Sequence, residues 1–132
     1  MKIEDTATRY APYVLSALRI MAALLFFEHG TSNNYGWPNP QSLQDPFTFN
    51  WLAGFIELVT GALLILGLFS RPAAFIASGE MAFAYFLAHA PQDFFPIINR
   101  GDAAILYCFV FLYIAFAGPG PWSLDAWWRK RS

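Results

Sequence analysis

The chain reads as an all-α, polytopic membrane protein, an antiparallel bundle of four transmembrane helices with both termini on the cytoplasmic side. Three observations predict this. Of its 132 residues, 57% are hydrophobic and 19% aromatic against 13% charged, far from the soluble average. The apolar residues gather into four runs, about 11–30, 50–69, 72–90 and 103–118, each bounded by Pro, Gly, Asn or charged residues. The cations outside those runs are unevenly shared: Lys2, Arg9, Arg71, Arg129, Lys130 and Arg131 fall on one side and only Arg100 on the other, so the first side faces the cytoplasm. A soluble bundle needs polar faces repeating at helical spacing, and the second and fourth runs have almost none.

Taken in order, residues 1–10 (MKIEDTATRY) carry mixed charge, and the first apolar run contains Arg19 and no small-x-small cleavage site. A removable signal peptide is not expected, and the run stays as a helix. The connection TSNNYGWPNPQSLQDPFT (31–48) holds three prolines and is predicted to be an outer loop, either a lid over the bundle mouth or a surface loop. The second run, NWLAGFIELVTGALLILGLFSRP from Asn50 to Pro72, ends in a tight turn at Ser70 and Arg71, with Pro72 opening the third helix, so these two helices are antiparallel neighbours. Cys108 is the single cysteine, which removes any disulfide framework or dithiol motif. The tail 119–132 combines Trp122, Trp127 and Trp128 with Arg129, Lys130 and Arg131, a composition suited to an anionic headgroup layer. The whole chain is read as one membrane domain with this interfacial tail. A net charge of −1 without a basic block gives no case for nucleic acid.

Three ionisable residues, Arg19, Glu57 and Glu80, fall near the middle of the first, second and third runs. Each unpaired charge at the centre of a membrane helix costs about 2.5–3.5 kcal/mol, so they are expected to face inward and find partners. At 100° per residue, Ser16, Ala23 and Gly30 fall within about 60° of Arg19, Gly54 and Gly61 within about 60° of Glu57, and Ala73, Ala77 and Ala84 within about 60° of Glu80. Small residues let membrane helices approach closely, so these faces are predicted interior seams on which the three side chains meet. The cluster is either a buried structural triad or the floor of a ligand or proton-exchange site. A second polar set, Glu28, His29, His89 and Asp102, is placed one or two turns nearer the outer surface. His29 and His89 are the pair that would hold a haem or a metal ion, but no spacing such as His-x-x-x-His supports it, so no metal site is predicted and haem is not expected.

Several separated motifs resemble the DoxX family of small four-helix membrane proteins, over about Arg19 to Asp125. They are His29 and Gly30 at the end of the first helix; Gly54, Glu57, Gly61, Gly67 and Arg71; Met81 and Ala84; AYFLAHAPQDFFPIINRGD with Pro96, Asn99 and Gly101; Leu106 and Tyr107; and GPGPWSLD with Gly118, Gly120, Ser123 and Asp125. Ser32, Asn33 and Asn34 stand where the family often has a Lys, and Asp102 stands where a Glu is usual. The resemblance implies a small subunit of the cytoplasmic (inner) membrane, linked to quinone-dependent sulfur oxidation or terminal oxidase complexes. An apolar cleft with a few convergent polar groups suits a lipid-soluble carbonyl ring such as a quinone. The expected role is an accessory subunit that binds quinone or a similar ligand through Arg19, Glu57 and Glu80, with Glu28, His29, His89 and Asp102 toward the outside. It would not be catalytic alone, since no flavin, nicotinamide or iron–sulfur motif is present, and it would act with a membrane redox partner or as a homo-oligomer. A carrier or channel for protons or a small solute, and a scaffold subunit, are the two alternatives.

Overall fold

Apolar runs interrupted by glycine and proline fold into helices joined by short turns. The computed structural model describes residues 2–131, and among these every regular element is helical, with no strand. Helix α1 (Ile3–Tyr35) is followed by a single 3₁₀ turn (Pro40–Ser42), α2 (Phe49–Leu66), α3 (Ser70–Ala84) continuing as a π turn (Tyr85–His89), the one-turn α4 (Pro96–Asn99), α5 (Asp102–Ala117) and α6 (Leu124–Arg131). Two of these, α1 and α2, are long and apolar enough to cross a membrane, and α5 is a shorter apolar helix.

Helix α1 extends past its expected limits at both ends. Glu4 and Asp5 in its first turn favour the positive end of the helix dipole, and it stops only at Gly36, whose φ of 70° no β-carbon tolerates easily. Helix α2 starts on Thr48, whose hydroxyl accepts from the Trp51 N–H at 3.4 Å, and ends on Gly67, also at φ 70°. Helix α5 ends at Gly118 (φ 90°). The tail expected to lie along the interface is the helix α6, capped by Ser123, whose Oγ accepts from the Ala126 N–H at 3.1 Å. The 36–48 connection folds back on α1: Gln44 N–H donates to the Asn33 carbonyl (2.8 Å) and Asn39 N–H to Ser32 Oγ (3.4 Å).

The four long helices pack antiparallel in the ring order α1, α2, α3, α5. Small residues fix the α1–α2 crossing: a β-carbon on Gly30 would sit 2.8 Å from the Gly54 carbonyl oxygen, and one on Gly61 would sit 3.2 Å from Phe27 Cα. On the opposite side Ser78 Oγ donates to the Cys108 carbonyl at 2.8 Å, binding α3 to α5. The core between them is Phe26 and Phe111, whose rings meet edge-on at 4.9 Å, with Leu64, Ile114 and the alanines Ala22, Ala23, Ala74 and Ala77. The outward faces are apolar all round, with Leu24, Phe55, Val59, Phe75, Phe83 and Phe109 each exposed. Soluble monomers do not present such a belt, and only 28% of the apolar window of either long helix is buried, unlike the core helix of a soluble protein.

Candidate functional site

The last turn of α2 and the non-helical segment between α5 and α6 present carbonyl oxygens toward the bundle interior, and one arginine gathers three of them. Arg19, fully buried, donates from Nε to the Leu64 carbonyl (2.8 Å), from Nη1 to the Pro119 carbonyl and from Nη2 to the Trp122 carbonyl (2.7 Å). Its electrostatic partner is Asp125, whose two carboxylate oxygens accept the Phe69 and Ser70 N–H groups, both at 2.9 Å, and so cap α3. Ser16 completes the clasp, donating to the Pro119 carbonyl and accepting from the Trp122 N–H. Arg71 closes α5 by donating from Nη1 to the Phe116 carbonyl at 2.6 Å.

The expected meeting of Arg19 with Glu57 and Glu80 therefore does not occur. The guanidinium sits at the level of Leu64, seven residues along α2 from Glu57, or about 10 Å. The shift has a simple cause. Helix α1 continues through polar residues to Tyr35, so α2 packs against its later part: Gly61 lies on Phe27, and Gly54 lies on Asn33 and Asn34. Arg19 is thereby carried to the far end of the bundle. An α-helical side chain also leans toward its own N-terminus, which tilts Arg19 and Glu57 apart on antiparallel helices.

The two acids do come together. Glu57, 5% exposed on α2, faces Glu80, half-buried on α3, with their carboxyl groups in contact across the seam. Glu57 Oε2 and Glu80 Oε2 are buried, and neither has a hydrogen-bond partner. Glu80 also lines an apolar groove of about 460 Å³ between α2 and α3, walled by Leu52, Ile56, Ile76, Phe83 and Leu87, with Asn50 at its outer end. The groove runs along the lateral face of the bundle, and Glu80 is its one acidic lining residue, between Ile76 and Phe83.

The polar set expected nearer the surface is divided. Tyr107 on α5 lies in the fields of both Glu28 and Glu57, and His29 meets its ring edge-on at 5.9 Å, so Glu28 and His29 stand close to the acid pair in level. Both are exposed. His89 is held elsewhere: its Nδ1 hydrogen-bonds the Asn99 carbonyl at 2.9 Å, and its ring stacks on Tyr85. Asn99, buried, ties this corner together by donating from Nδ2 to the Asp93 carbonyl and the Tyr85 hydroxyl and accepting the Gly101 N–H. His89 thus fixes the α3–α5 connection, whereas His29 packs on Tyr107 of α5. Asp102 is exposed in the first turn of α5. Among the described residues no three His, Cys, Asp or Glu side chains converge as a metal site would require. Tyr107, Asn99 and Asp125 carry parts of this arrangement that side-chain charge and periodicity did not identify, although each lies in one of the motifs quoted above.

Comparison with known proteins agrees with these motifs. The DoxX family model matches residues 14–90. An uncharacterized protein of Haemophilus influenzae is 46% identical over 125 residues, covering 89% of this chain and 92% of the relative. No solved structure matches the chain. With that family match over the first three long helices and a relative aligned along nearly its full length, the chain belongs to the DoxX family, and the family and the apolar helices together point to a membrane location.

Proposed function

We propose that the protein is a four-span protein of the inner membrane, with both termini cytoplasmic, that binds a small apolar ligand bearing a hydrogen-bonding oxygen, such as a quinone, in the groove between α2 and α3. The observation that carries this reading is the pair of buried, unpartnered oxygens, Glu57 Oε2 and Glu80 Oε2, where Glu80 is the one acidic residue lining an otherwise largely apolar groove and Glu57 lies behind it. A buried polar atom without a partner costs about 1–3 kcal/mol, and a ligand oxygen or hydroxyl reaching Glu80 would supply a missing bond. Like charges in contact away from water repel, so the pair holds at least one proton. That proton makes one carboxyl a donor, and a ring carbonyl is the matching acceptor.

The groove fits a quinone in shape and chemistry: aliphatic and aromatic walls for the ring and its tail, and an opening toward the lipid from which such a molecule would enter. A bound quinone would supply the two-electron chemistry, and electrons would come from a partner protein. The residues of this chain would orient the ring, exclude water and hold a proton at the carbonyl oxygen. Tyr107, which feels both exposed Glu28 and buried Glu57, stands between them as a hydroxyl able to pass a proton inward. The role is that of an accessory subunit of a quinone-linked redox system. Extraction of the purified protein followed by mass spectrometry is expected to recover quinone from the native chain and much less from Glu57→Leu and Glu80→Leu, which remove the donor that a Gln amide would keep. Equal recovery from the variants would remove the reading.

A further inference from the structure

At the opposite end of the bundle lies a second groove, of about 540 Å³, between the early part of α1, the 117–121 segment and α6. Its walls include Pro12, Leu15, Pro119 and Ala126, and three cations reach it: Arg71, Arg129 and Lys130. None of its lining residues is acidic. Arg71 is fixed in place, because Nη1 is held by the Phe116 and Ala115 carbonyls and the guanidinium lies over Gly118, where a β-carbon would come within 3.1 Å of Nη2. Its Nε and Nη2 donors remain for a ligand, and a planar guanidinium matches the oxygens of a phosphate.

We propose that this groove binds the phosphate of one anionic phospholipid. Its surroundings select a lipid. Exposed Trp127 and the paired rings of Tyr13 and Trp122, 5.5 Å apart, stand at the same end of the bundle, and such aromatic residues gather at headgroup level. The apolar wall formed by Pro12 and Leu15 continues into the exposed side chains of Val14 and Leu18 on α1, a surface for acyl chains. The cations complement the negative headgroup, whereas a zwitterionic lipid brings its own ammonium group. The inference rests on the membrane placement proposed above and is independent of the quinone.

The test is native mass spectrometry of the full-length protein in mild detergent with dimyristoyl phosphatidylglycerol, dimyristoyl phosphatidylcholine or sodium phosphate. One phosphatidylglycerol per chain is expected, retained at least tenfold more strongly than phosphatidylcholine. Arg129→Gln with Lys130→Gln is expected to lower that retention roughly twenty-fivefold, since each cation near an anionic headgroup contributes about fivefold. These positions lie on the exposed face of α6, so the double variant leaves the Arg71 cap intact. Arg9→Gln, outside the groove, is expected to leave retention unchanged. Equal retention of the two lipids would overturn the site while leaving the membrane placement untouched. Undiminished phosphatidylglycerol binding in the double variant, or an equal loss in Arg9→Gln, would overturn it as well. Displacement of the lipid by sodium phosphate would assign the groove to free phosphate instead.

Discussion

Arg19 and Glu57 are buried charged residues on two helices that pack against each other, and the protein treats them in opposite ways. Arg19 is surrounded by acceptors drawn from α2 and the segment before α6, with Asp125 nearby for its charge. Glu57 meets another acid, and each of the two keeps an oxygen with no partner. Burial and charge alone therefore do not mark a functional residue, because a buried ion whose bonds are all made belongs to the architecture. What marks the α2–α3 seam is the bond left unmade, next to a groove through which a partner could arrive.

Substitutions at the two ends should separate these roles. Arg19→Met leaves the Trp122 carbonyl without a donor and takes one of two donors each from the Leu64 and Pro119 carbonyls, which keep the Gly67 N–H and Ser16 Oγ; it is expected to cost about 3 kcal/mol, read as a lower unfolding midpoint in detergent and a smaller folded fraction. Asp125→Ala removes the cap on α3 and is expected to cost about 1–2 kcal/mol by the same measurement. Glu57→Leu removes both the repulsion at the seam and the carboxyl donor, so its stability is expected within about 1 kcal/mol of the native chain while quinone retention falls at least about tenfold. A Glu57→Leu protein as unstable as Arg19→Met would erase the contrast and make the acid pair structural. Glu28→Gln, on an exposed side chain, is expected to stay within about 0.5 kcal/mol of the native chain by the same unfolding measurement.

Much of this arrangement can be read from residue types. The small-residue faces correctly place Ser16, Ala23 and Gly30 beside buried Arg19, Gly54 and Gly61 beside Glu57, and Ala73 and Ala77 on the inner side of α3. Hydropathy locates the four long helices to within a few residues, except where polar residues remain helical: Ile3–Tyr10 and Thr31–Tyr35 of α1 have no apolar signal, yet nothing in them breaks a helix. That extension explains the misplaced depth of Arg19, since the midpoint of an apolar run is not the level at which its helix meets the next one. The partners of Arg19 were also hidden for a second reason. They are backbone carbonyls, which every residue carries, and only the glycines and prolines of GPGPWSLD make them available. The acid pair was visible because Glu57 and Glu80 flank one tight turn at nearly equal distances, a relation that needs no knowledge of the other helices.

The Arg19 clasp also has a consequence for how the chain is made. Arg19 is made before all three of its acceptors: Leu64 follows it by 45 residues, Pro119 by 100 and Trp122 by 103. Until those residues are made the first helix carries a cation that lacks two of its three acceptors, an expensive condition in lipid. Arrival of the last segment satisfies it, and at the same step Asp125 caps the third helix. A chain stopped before Pro119 keeps an unsettled first helix, open to membrane proteases, whereas one extended through Asp125 has both the Arg19 clasp and the α3 cap in place.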